Sequence, residues 1–363
     1  MSSTTTASTD VTSRGPRRPK RGVPLLEVEG LVITTTGPDG ETVRLIDDVS
    51  FTVADGEVVG IVGESGSGKS LTMLAVMGLL PVGLEIAHGS IKWRGRDLVA
   101  LRDREMREIR GREIGMVFQD PMTALNPLRR VGAQLAEAIR LHQPVSRAAA
   151  RQRVVALLET VGVPDPAKRA RAYPHEWSGG MRQRAVIAMA MANDPALVIA
   201  DEPTTALDVT VQAQVMRTLE AARTELSSAL ILITHDLALA AQNASRMIIM
   251  YSGRIVETGT TREIFLRPTH PYTQGLLRSL LSEGDERAYA IPGNPPSPRS
   301  RPAGCPFAPR CEIAKQRAVC TDVRPLLELR PSGSRSACHF PDEIGHDRLV
   351  PTAPAAPAGT DVS

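Results

Sequence analysis

The sequence has 363 residues, of which 42% are hydrophobic and 23% charged, and its formal net charge is +3. This composition excludes a wholly disordered chain, and no window holds the ~18 uninterrupted apolar residues of a membrane-spanning helix. The N-terminus lacks the apolar core of a signal peptide, so we expect a cytosolic protein. The first 24 residues carry a net charge of +4, which leaves −1 on the rest. We therefore expect a disordered basic tail over 1–24 and no nucleic-acid partner.

The first half of the chain predicts a sheet, a glycine loop and a helical insertion. LEVEGLVI and TVRLIDDVSFTV alternate between apolar and polar residues, which indicates two antiparallel strands joined by the turn GPDG. EVVGIVG is a short continuous apolar run, typical of a strand buried on both faces. GESGSGKS then leads into the helical pattern SLTMLAVMGLL. Residues 120–180 are rich in Ala, Arg, Leu and Glu at helical spacing, so we predict an inserted helical subdomain there.

The second half predicts a mostly parallel sheet followed by an appendage. ALVIADEP and ALILITHD indicate two buried strands, and the helical pattern VTVQAQVMRTLEAARTEL separates them. MIIMYSG and RIVETG predict a closing hairpin. From about residue 285 the composition turns to Pro, Arg and Cys, which favours a small separate appendage over 285–342. We expect residues 343–363 to form a flexible tail.

GESGSGKS fills every fixed position of the phosphate-loop pattern G-x-x-x-x-G-K-[ST], with a predicted strand before it and a helix after it. Backbone N–H groups of such a loop surround a polyphosphate, and the helix N-terminus adds positive potential. Lys69 is expected to reach the β- and γ-phosphates of ATP, and the Ser70 hydroxyl to bind Mg²⁺. The predicted ATP-binding residues in this segment are Gly63, Glu64, Ser65, Gly66, Ser67, Gly68, Lys69, Ser70 and Thr72.

Two neighbouring acids, Asp201 and Glu202, end the buried strand of ALVIADEP. Open α/β sheets bind their ligands at the carboxyl ends of such strands. Adjacent residues on a strand point to opposite sides, so we predict two different roles. Asp201 is expected to hold the Mg²⁺ shell, and Glu202 to orient or deprotonate the water that attacks the γ-phosphate.

In these motifs and their order, residues 25 to 260 resemble the ATP-binding-cassette (ABC) family. Four further residues or segments carry the resemblance: Gln119 in MVFQDPMTALNP, Ser178-Gly179-Gly180 in HEWSGGMRQR, Asp208 in TTALD and His235 in LITHD. The resemblance implies an α/β P-loop NTPase fold (an ABC nucleotide-binding domain) with an antiparallel β-subdomain, an inserted helical subdomain and a small C-terminal Cys₄ appendage. It places the ATPase domain at 25–284.

The resemblance also implies a role for each of these residues. Gln119 would sense the γ-phosphate and Mg²⁺ and contact a membrane partner, and His235 would contact the γ-phosphate. Asp208 would lie at the interface between two cassettes. The segment Ser178–Gly180 would bind the nucleotide held by the second cassette. Independently of the family, Ser178 precedes the helical pattern MRQRAVIAMAMA, so we predict that it caps that helix.

WSGGMRQR, DEPTTALDVTVQAQVM, HPYTQGLL and IPGNPPSP resemble the ATPase subunits of dipeptide and oligopeptide importers, a branch that also handles nickel. This resemblance covers about residues 25 to 342. It implies a peripheral protein at the cytoplasmic face of the membrane. The implied partners are two membrane-spanning permease subunits, a second ATPase subunit that is usually a paralogue, and an extracytoplasmic peptide-binding protein. Nickel import, a non-transport ABC ATPase and a stand-alone P-loop kinase are the alternatives.

One position departs from the family pattern. ABC proteins stack the adenine on an aromatic ring roughly where Thr35 or a neighbour stands here. Phe51 is the only aromatic residue among the first 92, and we expect it in the core. The missing stacking amounts to ~1 kcal/mol, so adenine is expected to be held less selectively.

The four cysteines follow the spacing C-x5-C-x8-C-x17-C at Cys305, Cys311, Cys320 and Cys338. Zinc ribbons generally show paired C-x2-4-C knuckles, which this pattern lacks. We favour a 4Fe–4S cluster with four thiolate ligands, which the resemblance to peptide-importer ATPases also implies. Zn²⁺ and free thiols are the alternatives.

Overall fold

The computed structural model describes residues 23–120, 124–205, 208–281, 289–315 and 317–344. The predicted tails therefore lie almost wholly outside the described residues. The strands are β1 (Leu26–Thr36), β2 (Thr42–Val53), β3 (Val58–Val62), β4 (Leu84–Trp93), β5 (Arg96–Asp97), β6 (Ile114–Val117), β7 (Leu197–Asp201), β8 (Ala229–Thr234), β9 (Arg246–Tyr251), β10 (Arg254–Thr260), β11 (Glu328–Leu329) and β12 (Arg335–Ser336). The helices are α1 (Lys69–Val76), α2 (Asp103–Ile109), α3 (Val131–His142), α4 (Arg147–Thr160), α5 (Pro166–Arg169), α6 (Gly179–Ala190), α7 (Val209–Leu226), α8 (Leu237–Asn243), α9 (Thr261–Leu266), α10 (Pro271–Leu281) and α11 (Ala318–Asp322).

The smaller sheet is antiparallel and has the strand order β2-β1-β4-β5 in the described chain. The predicted hairpin of β1 and β2 is confirmed, with Thr36 opposite Thr42 at its turn. Alternate apolar residues of these strands face inward because successive side chains of a strand point to opposite faces. Phe51 is among them and is 8% exposed, so it belongs to the core as predicted.

The larger sheet has the order β11-β12-β10-β9-β3-β8-β7-β6 in the described chain. Strands β9, β3, β8, β7 and β6 run parallel, as the alternation of strands and helices predicts. Every residue of β3, β7 and β8 is buried, which explains their continuous apolar sequences. The carboxyl ends of these three strands meet at one edge of the sheet. This edge presents the phosphate loop, the two acids and His235.

Helices cover both faces of the larger sheet. One apolar core lies between it, the smaller sheet and α1, and a second lies against α3, α4, α6 and α7. The region predicted to be a helical subdomain contains α3, α4 and α5, so that prediction is confirmed. Among the described residues, every helix is too short or too polar to span a bilayer.

The C-terminal segment does not stand apart from the cassette, and the prediction of a separate appendage needs this correction. Strand β12 pairs with β10 and so extends the larger sheet. Phe307 packs edge-on against Tyr251 of β9, with ring centroids 5.3 Å apart. Composition could not reveal this attachment, because β11 and β12 have two residues each, too few for an alternating pattern.

A buried carboxyl joins β10 to the start of α10. Glu257 is fully buried and accepts hydrogen bonds from the backbone N–H groups of Thr269 and His270, at 2.6 and 3.1 Å. Burial raises the pKa of Glu257 from 4.5 to about 7, against the opposing effect of these hydrogen bonds. The folded chain therefore binds this proton more readily than the unfolded chain, and the stabilisation is lost as the pH rises from about 4.5 to about 7.

We expect Glu257→Gln to remove this pH dependence. The free energy of unfolding of the wild type, minus that of the variant, should fall by about 3 kcal/mol between pH 4.5 and pH 7.5. Urea denaturation of both proteins across this range measures the difference. Burial also lowers the pKa of His270 to about 3, but that contribution is common to both proteins and cancels. A difference that does not vary with pH would contradict the prediction.

Candidate nucleotide site

The phosphate loop lies between β3 and α1, in the order that the sequence predicts. Gly63 passes so close to β9 that an added Cβ would stand 2.2 Å from the Met250 carbonyl oxygen. Gly68 has a φ of +101°, in the left-handed region that favours glycine. The Ser67 hydroxyl is buried and has no hydrogen-bond partner among the described residues. The loop is thus a tight turn with a free donor, which suits an anion.

Lys69 and Ser70 open helix α1. Lys69 is 4% exposed, and its Nζ donates to the carbonyl oxygens of Gly63 and Glu64, at 2.8 and 3.0 Å. Burial lowers the pKa of Lys69, while the carboxylates of Glu202, Asp201 and Glu64 oppose this effect. Within the described residues the ammonium group therefore hydrogen-bonds only to neutral carbonyl groups of the loop, and it can turn to a phosphate.

The Ser70 hydroxyl donates to Asp201 Oδ1 at 2.9 Å. Asp201 is 5% exposed, and burial raises the pKa of its carboxyl. A cation between Ser70 and Asp201 would oppose the effect of burial, because it favours the ionised form of the carboxyl. Both are hard oxygen donors, and Mg²⁺ commonly takes only one or two protein ligands beside phosphates and waters. The pair therefore fits Mg²⁺.

Glu202 lies at the centre of a second group of polar side chains. Its Oε2 accepts from Gln119 Nε2 at 3.1 Å and from the Thr205 hydroxyl at 2.9 Å, and its Oε1 lies 3.4 Å from His235 Nδ1. The structure thus brings together Glu202, Gln119 and His235, which the sequence analysis singled out separately. Glu202 also has a φ of +46°, an uncommon backbone conformation that is found at active sites.

Ser178 and Asp208 both cap helices. The Ser178 side chain accepts from the backbone N–H of Met181 at the start of α6, as predicted, and Asp208 Oδ1 accepts from Val211 N at the start of α7. A Cβ on Gly180 would stand 2.7 Å from Val211 Cγ1, so α6 and α7 pack closely at this point. Neither Ser178 nor Asp208 hydrogen-bonds to the phosphate loop within the described residues.

One predicted contact, that of Thr72 with ATP, is not supported by the local geometry. The Thr72 side chain is fully buried and donates to the Gly68 carbonyl at 2.9 Å, so it holds the first turn of α1 and does not line the loop. Thr35 donates to the Gly83 carbonyl at 3.0 Å. Its hydroxyl is therefore engaged within the smaller sheet.

No pattern in the sequence pointed to three further residues near the site, Thr205, Tyr272 and Arg310. The Tyr272 hydroxyl accepts the backbone N–H of Glu64 at 2.9 Å, and Arg310 forms an ion pair with the Glu64 carboxylate at 2.9 Å. Arg310 directly precedes Cys311, but nothing in the sequence around it shows which carboxylate the arginine contacts. Only the three-dimensional structure joins positions so far apart in the chain.

The four cysteines line one small cavity together with His270 and Phe307. Burial raises the pKa of Cys305 to about 12 and that of Cys338 to about 11, and it raises those of Cys311 and Cys320 too. The cysteines form no disulfide. Within the described residues, no group of three or more His, Cys, Asp or Glu side chains is arranged to hold a metal ion.

Two family models and the similar known proteins all point to transporter proteins. Residues 46–205 match the family model described as ABC transporter, and residues 256–320 match one described as Oligopeptide/dipeptide transporter, C-terminal region. The chain is 47% identical over 328 residues to the dipeptide transport ATP-binding protein DppD of Escherichia coli, covering 90% of this chain and 99% of that one. It is 49% identical over 322 residues to the oligopeptide transport ATP-binding protein OppD of Salmonella typhimurium, covering 88% and 94%.

Solved structures agree on the fold. The dimeric ATP-binding cassette MJ0796, in a post-hydrolysis state bound to ADP and Pi, has a TM-score of 0.59 and 27% identity, covering 65% of this chain and 99% of that one. CbiO1 of Clostridium perfringens, part of an ABC transporter complex, has a TM-score of 0.57 and 26% identity, covering 67% and 91%. The predicted P-loop NTPase fold is therefore confirmed. This chain belongs to the ABC transporter ATP-binding proteins, in the branch of the dipeptide and oligopeptide transport ATPases.

Proposed function

We propose that this chain is the ATP-hydrolysing subunit of an ABC importer for dipeptides or oligopeptides. The observation that carries the proposal is the meeting of the phosphate loop with Asp201 and Glu202 at one sheet edge. The relatives at 47–49% identity are named as peptide-transport ATP-binding proteins. The matched C-terminal region supports the same branch of the family.

In this proposal the loop binds ATP through its backbone N–H groups and Lys69. Ser70, Asp201 and Gln119 are the residues that would hold Mg²⁺, which would neutralise part of the negative charge of the phosphates. Glu202 accepts a proton from the attacking water or orients that water. His235 lies beside Glu202 and its side chain is exposed, so in this proposal it contacts the γ-phosphate. Catalysis by these residues is positioning and electrostatic stabilisation.

We further propose that two such subunits form the active unit. The segment Ser178–Gly180 begins a helix whose N-terminus can bind an anion, yet it has no hydrogen bond to the phosphate loop of the same chain among the described residues. A partner subunit could supply the nucleotide to this segment, and Asp208 would then lie at the same interface. A dimeric cassette among the similar solved structures supports this arrangement.

The proposed domain limits are a cassette over 25–284 and a C-terminal region over 285–342. The protein would lie at the cytoplasmic face of the membrane, bound to two membrane-spanning permease subunits through the Gln119 region. A second ATPase subunit, expected to be a paralogue, and an extracytoplasmic peptide-binding protein complete the transporter. Nickel import is the alternative cargo, since the same branch of the family includes it.

Co-purification and uptake test the proposed function. The chain is isolated from its own membranes under mild conditions, and its partners are identified by mass spectrometry. ATP-dependent uptake of labelled dipeptides, oligopeptides and Ni²⁺ is then compared in vesicles containing the complex. Co-purification of permease subunits, together with ATP-dependent uptake of peptides, supports the proposal. Uptake of Ni²⁺ alone would assign the alternative cargo, and soluble or nucleic-acid partners would overturn a transport function.

For the four cysteines we propose a 4Fe–4S cluster, with Zn²⁺ as the alternative. All four line one cavity, and backbone N–H groups of Phe307 and Phe340 hydrogen-bond to the sulfurs of Cys305 and Cys338. In a zinc site every sulfur lies about 2.3 Å from one ion, whereas the four thiolates of a 4Fe–4S cluster bind four separate iron atoms. A larger cluster accepts thiolates that stand around a cavity.

Analysis of anaerobically purified protein decides between these ligands. We expect about four iron atoms and four acid-labile sulfides per chain, and their loss when Cys311 is replaced by serine. Bound zinc without labile sulfide would assign the alternative. If the protein contains neither iron nor zinc, the thiols are free and the proposal is contradicted.

A further inference from the structure

Glu64 places a carboxylate inside the phosphate loop. It is the second residue of GESGSGKS, and its backbone N–H donates to the Tyr272 hydroxyl at 2.9 Å. A loop that binds a triphosphate works through positive potential. A negative side chain in this loop therefore opposes anion binding unless another group compensates its charge.

Arg310 is the group that meets this carboxylate. Its Nη1 lies 3.1 and 2.9 Å from the two carboxylate oxygens of Glu64, and it also donates to the Tyr251 hydroxyl at 3.1 Å. The Arg310 side chain is 5% exposed. The Glu64 side chain is 26% exposed, so the ion pair is partly buried, and such a pair is screened less by salt than one at the surface.

The C-terminal segment holds the Arg310 guanidinium in place. Nε donates to the Pro292 carbonyl at 2.9 Å, and Nη2 donates to the Ile291 carbonyl at 3.2 Å. The guanidinium carbon lies 5.7 Å from the centre of the Tyr251 ring and 5.8 Å from that of Phe307. Arg310 is therefore fixed by residues outside the phosphate loop, and its charge is directed at Glu64.

We propose that Arg310 is a positioning residue for ATP. Arg310 neutralises the charge of Glu64 and so allows the phosphate loop to bind a triphosphate. The inference rests on the proposed function, because it takes ATP as the ligand of the loop. It gives the C-terminal region a direct part in nucleotide binding. It also explains why this segment packs on the cassette beside β9.

A purely structural anchor would make the same contacts, but the two roles differ in their dependence on charge. If Arg310 only stabilises the fold, removing it should weaken ATP binding whatever residue stands at position 64. If Arg310 compensates a charge, the loss of ATP affinity is caused by the uncompensated Glu64 carboxylate. This loss should then disappear when that carboxylate is replaced by an amide.

The affinity of full-length protein for Mg²⁺·ATP and Mg²⁺·ADP is measured by isothermal titration. We expect Arg310→Gln to weaken ATP binding roughly tenfold, within the usual range of coupling between two sites. ADP carries less charge, so its affinity should fall less. The matched control is Arg254→Gln, which removes a buried ion pair to Asp47 at 2.6 Å and a bond to the Gly304 carbonyl without touching the loop. It should lower the melting temperature but leave ATP affinity unchanged.

A double-mutant cycle with Glu64→Gln decides the role. In the Glu64→Gln background, Arg310→Gln should no longer weaken ATP binding. A tenfold loss that persists in that background would overturn the proposal and leave Arg310 as an anchor. If the wild type does not bind ATP at all, the proposed function fails instead.

A second variant covers the case in which Arg310→Gln does not fold. Arg310→Lys keeps the positive charge but cannot make every bond to Ile291 and Pro292. ATP affinity close to that of the wild type supports charge compensation. A folded Arg310→Lys protein that binds ATP about tenfold more weakly than the wild type would overturn it.

Discussion

Replacing Glu202 by glutamine is expected to lower ATP turnover by about 10²–10⁴-fold, the usual contribution of a general base, while ATP binding stays intact. Glutamine has nearly the same shape and still offers an oxygen to Gln119 and Thr205, which hydrogen-bond to Glu202 Oε2 at 3.1 and 2.9 Å. It cannot accept a proton from the attacking water. The variant should therefore lose the chemical step and keep the ligand.

Phosphate release and equilibrium binding of ATP separate these two effects. The control is Glu263→Gln, because Glu263 caps α9 and lies away from the nucleotide site. This control should hydrolyse ATP at the wild-type rate. If Glu202→Gln hydrolyses ATP undiminished, Glu202 is not the base, and the water must be activated in another way. If it fails to bind ATP, its role is to build the site.

Some parts of this site can be predicted from the sequence because each follows from a local pattern. The phosphate loop is a contiguous motif between a buried strand and a helix. Asp201 ends a strand whose apolar run marks it as central, Glu202 follows directly, and parallel strands bring their carboxyl ends to one edge. The roles of Gln119 and His235 could be predicted only from the family resemblance, because a single glutamine or histidine has no sequence pattern of its own that indicates a site.

The contacts that depend on distant parts of the chain could not be predicted. Arg310 and Glu64 are 246 positions apart, and no periodicity links them. The two-residue strands that attach the C-terminal segment are too short to show alternation. Thr72 shows the opposite failure: its place next to the motif suggested a ligand contact, but its hydroxyl is used within the helix, where threonine commonly bonds to the preceding turn.

Replacing Lys69 by alanine is expected to weaken ATP binding on the order of 10²–10³-fold, because truncating one partner of a buried charge pair costs several kcal/mol. Among the residues that the structure describes, Nζ hydrogen-bonds only to the Gly63 and Glu64 carbonyls, at 2.8 and 3.0 Å. Its charge is therefore available to the β- and γ-phosphates. ADP lacks the γ-phosphate, so its affinity should fall less than that of ATP.

Titration with Mg²⁺·ATP and Mg²⁺·ADP measures this difference, and Lys92→Ala is the control. Lys92 pairs with Glu29 at 2.6 Å on the smaller sheet and should not affect either affinity. Lys69→Met adds a second comparison, since it keeps most of the apolar stem and removes only the ammonium group. If Lys69→Met binds ATP as weakly as Lys69→Ala, the lost charge is the cause. Unchanged binding by Lys69→Ala would place the nucleotide outside the loop, and the roles assigned to Ser70, Asp201 and Glu202 would fall with it.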